Sequence, residues 1–335
     1  MSDLHQHEVS PDEGFYRTFS AAQIEAILSA LTQQSPEFPY ELTYLGEGGE
    51  LWRNLEEETT TYWTTALRDL DTMLGEHAEK LLALAPPSGP VRIVDLGPGT
   101  ARPIRGLMRY LLDRSRLAGY RAIDISTGML SLAERTLREE FPDHAHRFEL
   151  IHGDFAGPQL LQALPAGDAG ARLIVAAGGT LYNFTDPSGL LRHIGQAMSG
   201  SDVLLLTLRV DSGFNRPPYM DEVRVGGPTK PLFLVGLNLL GLDQSWYVNE
   251  VGFDRDRGEI FSRVRFVEPV AVTIDVNGGG KTISFTPGDT VLVFRYLFLD
   301  EEGVAAHLSR CGLRVHLLER GESDEVVLVA AMREQ

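Results

Sequence analysis

The chain has 335 residues, 43% of them hydrophobic, and a formal net charge of -17. That length suits two compact domains, or one large domain with an insertion, and the apolar content is enough for a sizeable core. The acidic balance argues against a broad basic surface for nucleic acid or an anionic membrane, and a single cysteine, Cys311, excludes an internal disulfide and suggests a reducing compartment.

No apolar run reaches the roughly 18 residues that span a bilayer. The start, MSDLHQHEVSPDEG, is too polar and acidic for a secretory signal. These features point to a soluble, cytoplasmic protein. The first fifteen or so residues read as a loose tail, and Ala21 to Leu31 and Thr65 to Leu84 have helical apolar spacing. Between them lies an aromatic and glycine-rich stretch, YELTYLGEGGELWRNLEEETTTYW.

From Pro90 the texture changes to alternating strands and helices. Arg92 to Leu96 is a strand, followed by a Gly-Pro-Gly turn and a helix near Pro103 to Leu112. A second strand ends at Arg121 to Ile123, and its helix carries Met129, Leu130, Ala133, Leu137 and Phe141 at a 3.6-residue period. Phe148 to Ile151 and Leu173 to Ala177 are the third and fourth strands. Asp186-Pro187 reads as an N-cap with proline at the first helical position, ahead of Leu190, Leu191, Ile194 and Met198. Val203 to Leu208 is the fifth strand. Repeated strand–helix units imply an α/β fold with a parallel sheet covered on both faces.

The pattern breaks from about Asp211 to Thr290, where Pro and Gly clusters (NRPPY, VGGPTK, VNGGGK) surround two alternating stretches, Ile260 to Val267 and Val270 to Val276. These are expected to be antiparallel. A strand at Val291 to Leu299, a helix with Val304, Leu308 and Cys311, and strands at Leu313 to Leu317 and Val326 to Ala330 complete the chain. The expected division is 1–85, packing with an inserted segment 211–292, and 86–210 with 293–335 forming the main sheet.

The first strand ends in VDLGPGT, where Gly97 and Gly99 let backbone amides approach a ligand at a helix start, with Thr100 beside them. The dinucleotide fingerprint wants a third glycine where Arg102 stands. Asp124 ends the second strand, placed to accept both ribose hydroxyls of a nucleotide. Asp154-Phe155 follows the third, an acid for an adenine amino group and a ring to pack on the base. Carboxyl ends of parallel strands converge on one crevice. Together these favour an adenosine ligand without a pyrophosphate, which S-adenosylmethionine fits better than NAD.

At these motifs the chain resembles the histidine-specific methyltransferase family, the S-adenosylmethionine-dependent enzymes of ergothioneine biosynthesis, with the dimethylallyltryptophan N-methyltransferases as related members. The resemblance runs from about Tyr44 to the C-terminus. VDLGPGT, AIDIS and HGDF match the family's first-strand glycines, second-strand acid and adenine segment. GGTLYNF matches its fourth-strand G-S-T-x-x-N-F element, the most specific of the four. This implies that Gly178 lies at the cofactor and that Asn183 holds the substrate's amine and carboxylate. TYLGEGGELW is similar to F-Y-D-x-x-G-S-E-L-F, which implies a place for Tyr44 near donor and substrate. TTTYWTT resembles Y-Y-P-T-R, which puts Tyr62 on a carboxylate-binding tyrosine, although Trp63 stands at the proline. FLVGLNLLG resembles a helix of the form F-N-x-N-x-L, with Asn238 on the second asparagine. The implied fold is a class I methyltransferase Rossmann-like sheet with an inserted α+β substrate-binding domain.

One departure bears on the substrate. Histidine-methylating members carry an E-I-S element whose acid and hydroxyl bind the imidazole, and Phe294 and Tyr296, within VFRYLF, stand there. A phenyl ring cannot accept the imidazole's hydrogen bond, and an unpaired donor costs about 1–3 kcal/mol. The expectation is an N-methyltransferase for the α-amine of an amino acid or derivative with an apolar or aromatic side chain. Tyr44 and Asn183 would be the orienting groups at the reacting centre. An L-histidine Nα-methyltransferase, a methyltransferase-like binding protein without activity and an NAD-linked oxidoreductase are the competing readings.

The remaining motifs have simpler explanations. NRPPY (215–219) reads as a proline-stiffened linker and His152 as a strand-end structural histidine. The nine histidines lack metal-ligand spacing, and His5 and His7 fall in the tail, so no metal is expected. Cys311 reads as core, and Glu56 to Glu58 as a solvated helix start. Tyr182 could line the pocket or pack beneath it.

Overall fold

The structure, a computed structural model, describes residues 6–57, 61–165, 170–213, 216, 220–226, 229–276 and 278–334, with side chains 61–65 outside the description. Two compact units emerge: Met1–Trp52 with Pro217–Leu297, and Arg53–Arg216 with Phe298–Gln335.

The second unit is built on seven strands: β1 (Val91–Leu96), β2 (Leu117–Asp124), β3 (Phe148–His152), β4 (Ala171–Ala176), β5 (Val203–Arg209), β6 (Leu313–Arg320) and β7 (Val326–Arg333). Their spatial order is β6-β7-β5-β4-β1-β2-β3. The neighbours among β1 to β5 run parallel, and β7 is antiparallel to both β5 and β6. The chain runs outward from β1 through β2 to β3, then returns to the other side for β4 and β5. Such a reversal opens a crevice at the carboxyl ends of β1 and β4. This is the Rossmann-like sheet expected from the alternating elements.

Burial explains the strand residues. Leu173, Ile174 and Val175 of β4 are at most 1% exposed, and each large apolar side chain so buried contributes about 1.5–3 kcal/mol. The helices Thr127–Glu140 and Pro187–Ala197 start on capping side chains: Ser126 accepts from Met129 N, and Asp186 accepts from Gly189 N with Pro187 behind it. The helices Thr61–Glu76 and Ala78–Leu84 belong to this unit rather than to the N-terminal segment. Met73, Leu74 and Leu81 join the core formed with Ile93 and Leu107. Gly75 and Gly106 make the helix contact possible, since a Cβ on either would stand 2.8 Å from the other's Cα.

The first unit holds two small sheets. Thr290–Leu297, Glu259–Phe266, Tyr247–Asp254 and Arg224–Val225 form an antiparallel four-stranded sheet. His7–Val9 runs parallel to Val270–Val276, which pairs antiparallel with Gly279–Phe285. The start of the chain is therefore not a loose tail over these residues: His7 stacks on Trp246 at 4.5 Å, and Asp12 caps the helix Glu13–Thr18. Thr290–Leu297 lies in this unit's sheet, which moves the end of the insertion beyond residue 292. NRPPY apart from Arg216, His5 and Glu58 lie outside the described residues. Among the described residues no helix is long and apolar enough to cross a membrane.

Candidate active site

In the second unit the sequence motifs meet at the carboxyl ends of β1 to β4. Gly97 (φ +70°) and Gly99 (φ +57°) are left-handed, and Ala101 is too (φ +59°) although fully buried. A left-handed non-glycine residue costs about 1–2 kcal/mol, so strain is held in the turn itself. A Cβ on Gly97 would stand 3.4 Å from Thr180 and 3.5 Å from Phe155. The ends of β1, β3 and β4 therefore converge on Gly97. Phe155 is buried and packs against Phe184 with ring centroids 5.6 Å apart. Asp154 accepts from Ala156 N at 2.8 Å and is half-buried.

Two carboxylates lie beneath this surface. Asp95, 3% exposed, accepts from the Tyr120 hydroxyl at 2.8 Å. Burial pushes its pKa up to about 7, with Tyr120's hydrogen bond lowering it and Asp124 raising it. Asp124 accepts from Ser126 N at 2.8 Å, and burial lifts it to about 7 against the backbone N–H groups of Ser126 and Ile125. Near neutrality both carboxyls are poised between protonated and ionised forms.

The GGTLYNF segment leaves β4 through two left-handed glycines, Gly178 (φ +76°) and Gly179 (φ +77°), into a 3-10 helix over Thr180–Asn183. Thr207 on β5 holds the turn, its hydroxyl accepting from Gly178 N and its carbonyl from Gly179 N, both at 2.9 Å. Tyr182 packs beneath the turn. It is 1% exposed, and its hydroxyl lies 3.1 Å from His307 Nδ1, whose Nε2 lies 2.8 Å from Ser188 Oγ. Asn183 is half-buried, and its Oδ1 is buried with no hydrogen-bond partner. A Cβ on Gly178 would meet nothing within 4 Å. The glycine is thus demanded by backbone conformation, and the space beside it is open.

Several other side chains depart from or extend the sequence reading. Glu56 and Glu57 lie nearly three turns into the helix Gly48–Glu57 and not at its start. Glu56 accepts from Thr100 Oγ1 at 2.8 Å, a contact the sequence reading missed. Tyr62 falls in the helix Thr61–Glu76 with its side chain outside the described residues. Cys311 is buried just past its helix, with burial raising its thiol pKa. His152 is exposed at the strand end, its Nε2 3.0 Å from the Ile125 carbonyl. A hollow of about 470 Å³ lined by Arg92, Gly119, Arg147 and Phe148 opens at the amino-terminal ends of the strands, at the opposite ends from Gly97, Asp124 and Gly178.

The first unit holds the other expected residues. Tyr44 ends a 3-10 helix, its hydroxyl 3.1 Å from that of Tyr40, and its ring meets Tyr40 and Trp52 edge-on. Phe294 stacks on Phe233 with centroids 4.3 Å apart, and Tyr40 meets it edge-on at 5.2 Å. Tyr296, two residues on, is buried. Ser262, 2% exposed, faces Phe294 across the strand pair, and its Oγ has no hydrogen-bond partner. Asn238 lies in the last turn of the helix Pro231–Leu239 with its side chain exposed. Two residues earlier, a Cβ on Gly236 would sit 2.3 Å from the Phe38 ring, which makes glycine obligatory there.

Comparison with known proteins decides the family: the pattern of SAM-dependent, histidine-specific methyltransferases matches residues 23–214, more than half of the chain. The chain belongs to that family. A curated relative, histidine N-alpha-methyltransferase of Mycolicibacterium smegmatis, is 25% identical over 298 residues, covering 86% of this chain and 88% of the relative. Similar solved structures include the CcbJ methyltransferase from Streptomyces caelestis (13% identity, 78% of this chain and 89% of that one, TM-score 0.46). Another is an S-adenosylmethionine-dependent methyltransferase from Clostridium acetobutylicum (11%, 85% and 97%, TM-score 0.46). The protein is a SAM-dependent methyltransferase.

The residues at the sheet end suit S-adenosylmethionine. Asp124 offers a buried carboxylate for hydroxyl groups, Phe155 offers a ring, and the left-handed turns at Gly97 and Gly178 expose backbone without side chains. The cofactor supplies a methyl group on a sulfonium, whose positive charge is lost on transfer. Among the described residues no group of three or more His, Cys, Asp or Glu is placed to hold a metal ion.

Proposed function

We propose that this methyltransferase transfers the methyl group to the α-amine of an amino acid or amino-acid-derived small molecule with an apolar or aromatic side chain. The observation that carries the reading is Asn183 Oδ1, a buried acceptor without a partner on the turn beside Gly178. An unpaired buried acceptor costs about 1–3 kcal/mol, and an amine N–H directed at it removes that cost while aiming the nitrogen lone pair elsewhere. Methyl transfer needs a neutral nitrogen held within about 3–3.5 Å of the methyl carbon. In this reading Asn183 orients the amine, with Tyr44 assisting, Tyr62 and Asn238 contact the substrate, and Gly97, Gly99, Thr100, Asp124, Asp154, Phe155 and Gly178 hold the cofactor.

The side-chain preference is supported by Phe294, which presents an aromatic stack with Phe233 rather than a hydrogen-bonding group. A second reading, methylation of histidine itself, is favoured by the name of the M. smegmatis relative and by the buried Ser262 hydroxyl facing Phe294. Turnover of the twenty free amino acids with S-adenosylmethionine separates the two. Histidine methylated as fast as any aromatic amino acid refutes the preference, and no amino acid or amino-acid derivative being methylated refutes the wider proposal.

A further inference from the structure

The helix Gly48–Glu57 carries two acids in succession, Glu56 and Glu57. Glu57 lies in the open, 3.6 Å from Arg53 one turn back. Glu56 is half-buried and reaches the β1 turn, where the Thr100 hydroxyl donates to it at 2.8 Å. Thr100 is 6% exposed and follows Gly99 directly, so the hydrogen bond fixes a carboxylate on the glycine turn. A carboxylate fixed there favours a cation brought to that point.

Strand order says which part of the cofactor arrives there. β1 lies between β2, which ends at Asp124, and β4, which leads to Gly178 and Asn183. Asp124 and Asp154-Phe155 suit the ribose and base, on the β2 and β3 side. The methyl group must lie on the β4 side to meet an amine at Asn183. The methionyl end therefore falls to the β1 turn, and that end carries an α-ammonium with three donors and no acceptor.

We infer that Glu56, held by Thr100 on the glycine turn, is a cofactor-positioning residue whose carboxylate receives the α-ammonium of the methionyl end of S-adenosylmethionine. The inference rests on the cofactor binding at the β1 turn. It adds a residue from the helix preceding the sheet to those on the strand ends, and it makes donor recognition depend on the amino-acid end of the ligand as well as on adenosine.

The test is calorimetric titration of the full-length protein with S-adenosylhomocysteine, S-adenosylmethionine and 5′-methylthioadenosine, which lacks the amino-acid end. Glu56→Gln keeps an oxygen for Thr100 and removes only the charge. It is expected to weaken S-adenosylhomocysteine about tenfold or more while leaving 5′-methylthioadenosine within about twofold of the native protein. The 5′-methylthioadenosine arm also reports that the variant is folded. Unchanged S-adenosylhomocysteine affinity overturns the inference, and so does an equal loss for both ligands, which marks a purely structural tether. If the native protein binds neither S-adenosyl compound, the underlying cofactor site fails, and the role of Glu56 falls with it. That outcome is distinct from the other two.

Discussion

Replacing Asn183 by alanine tests whether that residue serves the fold or the reaction. Its Oδ1 is buried and makes no hydrogen bond, so the ligand-free protein carries the desolvation cost of an unsatisfied acceptor, about 1–3 kcal/mol. Asn183→Ala removes that cost and gives up some packing, which leaves a net stability change between zero and a gain of about 1 kcal/mol. For a chain of this size such a gain raises the melting temperature by about 1–3 °C. If the same oxygen receives the substrate's amine, its loss costs the transition state about 1.4–2.8 kcal/mol, a fall of about 10- to 100-fold in kcat/KM. S-adenosylhomocysteine binding should not move if, as proposed, the cofactor is held at the glycine and acid positions. Thermal melts, calorimetry and methyl-transfer kinetics on one preparation read all three. A melting temperature several degrees lower, with cofactor affinity and activity lost together, refutes the reasoning and makes Asn183 a structural residue.

Asp124 has its pKa raised to about 7 by burial, and it must be ionised to accept two hydroxyls. S-adenosylhomocysteine affinity should therefore rise from pH 6 to pH 8, by about tenfold in all for one group with that pKa; a flat profile by calorimetry contradicts the assignment. Asp95, also raised to about 7, binds a proton more tightly folded than unfolded, so its contribution to stability is complete below pH 4 and is lost as pH rises through 7. Asp95→Asn retains an acceptor for Tyr120 and should melt higher than the native protein at pH 8 but not at pH 5; parallel melting-versus-pH curves would exclude this. Tyr182→Phe leaves buried His307 without its Nδ1 partner, and a loss of about 1–3 kcal/mol is expected in denaturant titrations, with S-adenosylhomocysteine affinity retained. A loss of cofactor affinity in that variant would place Tyr182 in the pocket instead of beneath it.

Most of the seven-stranded sheet was legible because its signals are local. A buried parallel strand is a short apolar run, and Asp186-Pro187 announces a helix start with two residues. The first unit was less legible because its elements depend on partners. His7–Val9 is three residues long and becomes a strand only by pairing with Val270–Val276. Gly279–Phe285 is exposed over its first four residues and has little apolar pattern. A signal was present all the same: VNGGGK contains an Asn-Gly pair, a strong hairpin marker hidden among its glycines, and Val276 pairs with Gly279. At the site, the residue types were readable but their states were not. That Asp95 and Asp124 sit near neutrality follows from depth of burial, and the bond between Thr100 and Glu56 joins residues 44 positions apart.

The site's residues are also where folding is least well served. Ala101 is left-handed and fully buried, Asp95 and Asp124 are carboxyls taken out of water, and Asn183 holds an unpaired acceptor. Each disfavours the ligand-free protein, and all four gather at the carboxyl ends of β1, β2 and β4. Strain and poor solvation concentrated at one end of a sheet persist when a ligand compensates them. The compensations needed are hydroxyl and amine donors together with positive charge, which a cationic donor and an amine acceptor bring. Transfer of the methyl group removes the sulfonium charge. In the proposed reaction the positive charge passes with the methyl group to the nitrogen of the amine acceptor, so the thioether product leaves without the sulfonium charge that favours the donor beside these carboxyls.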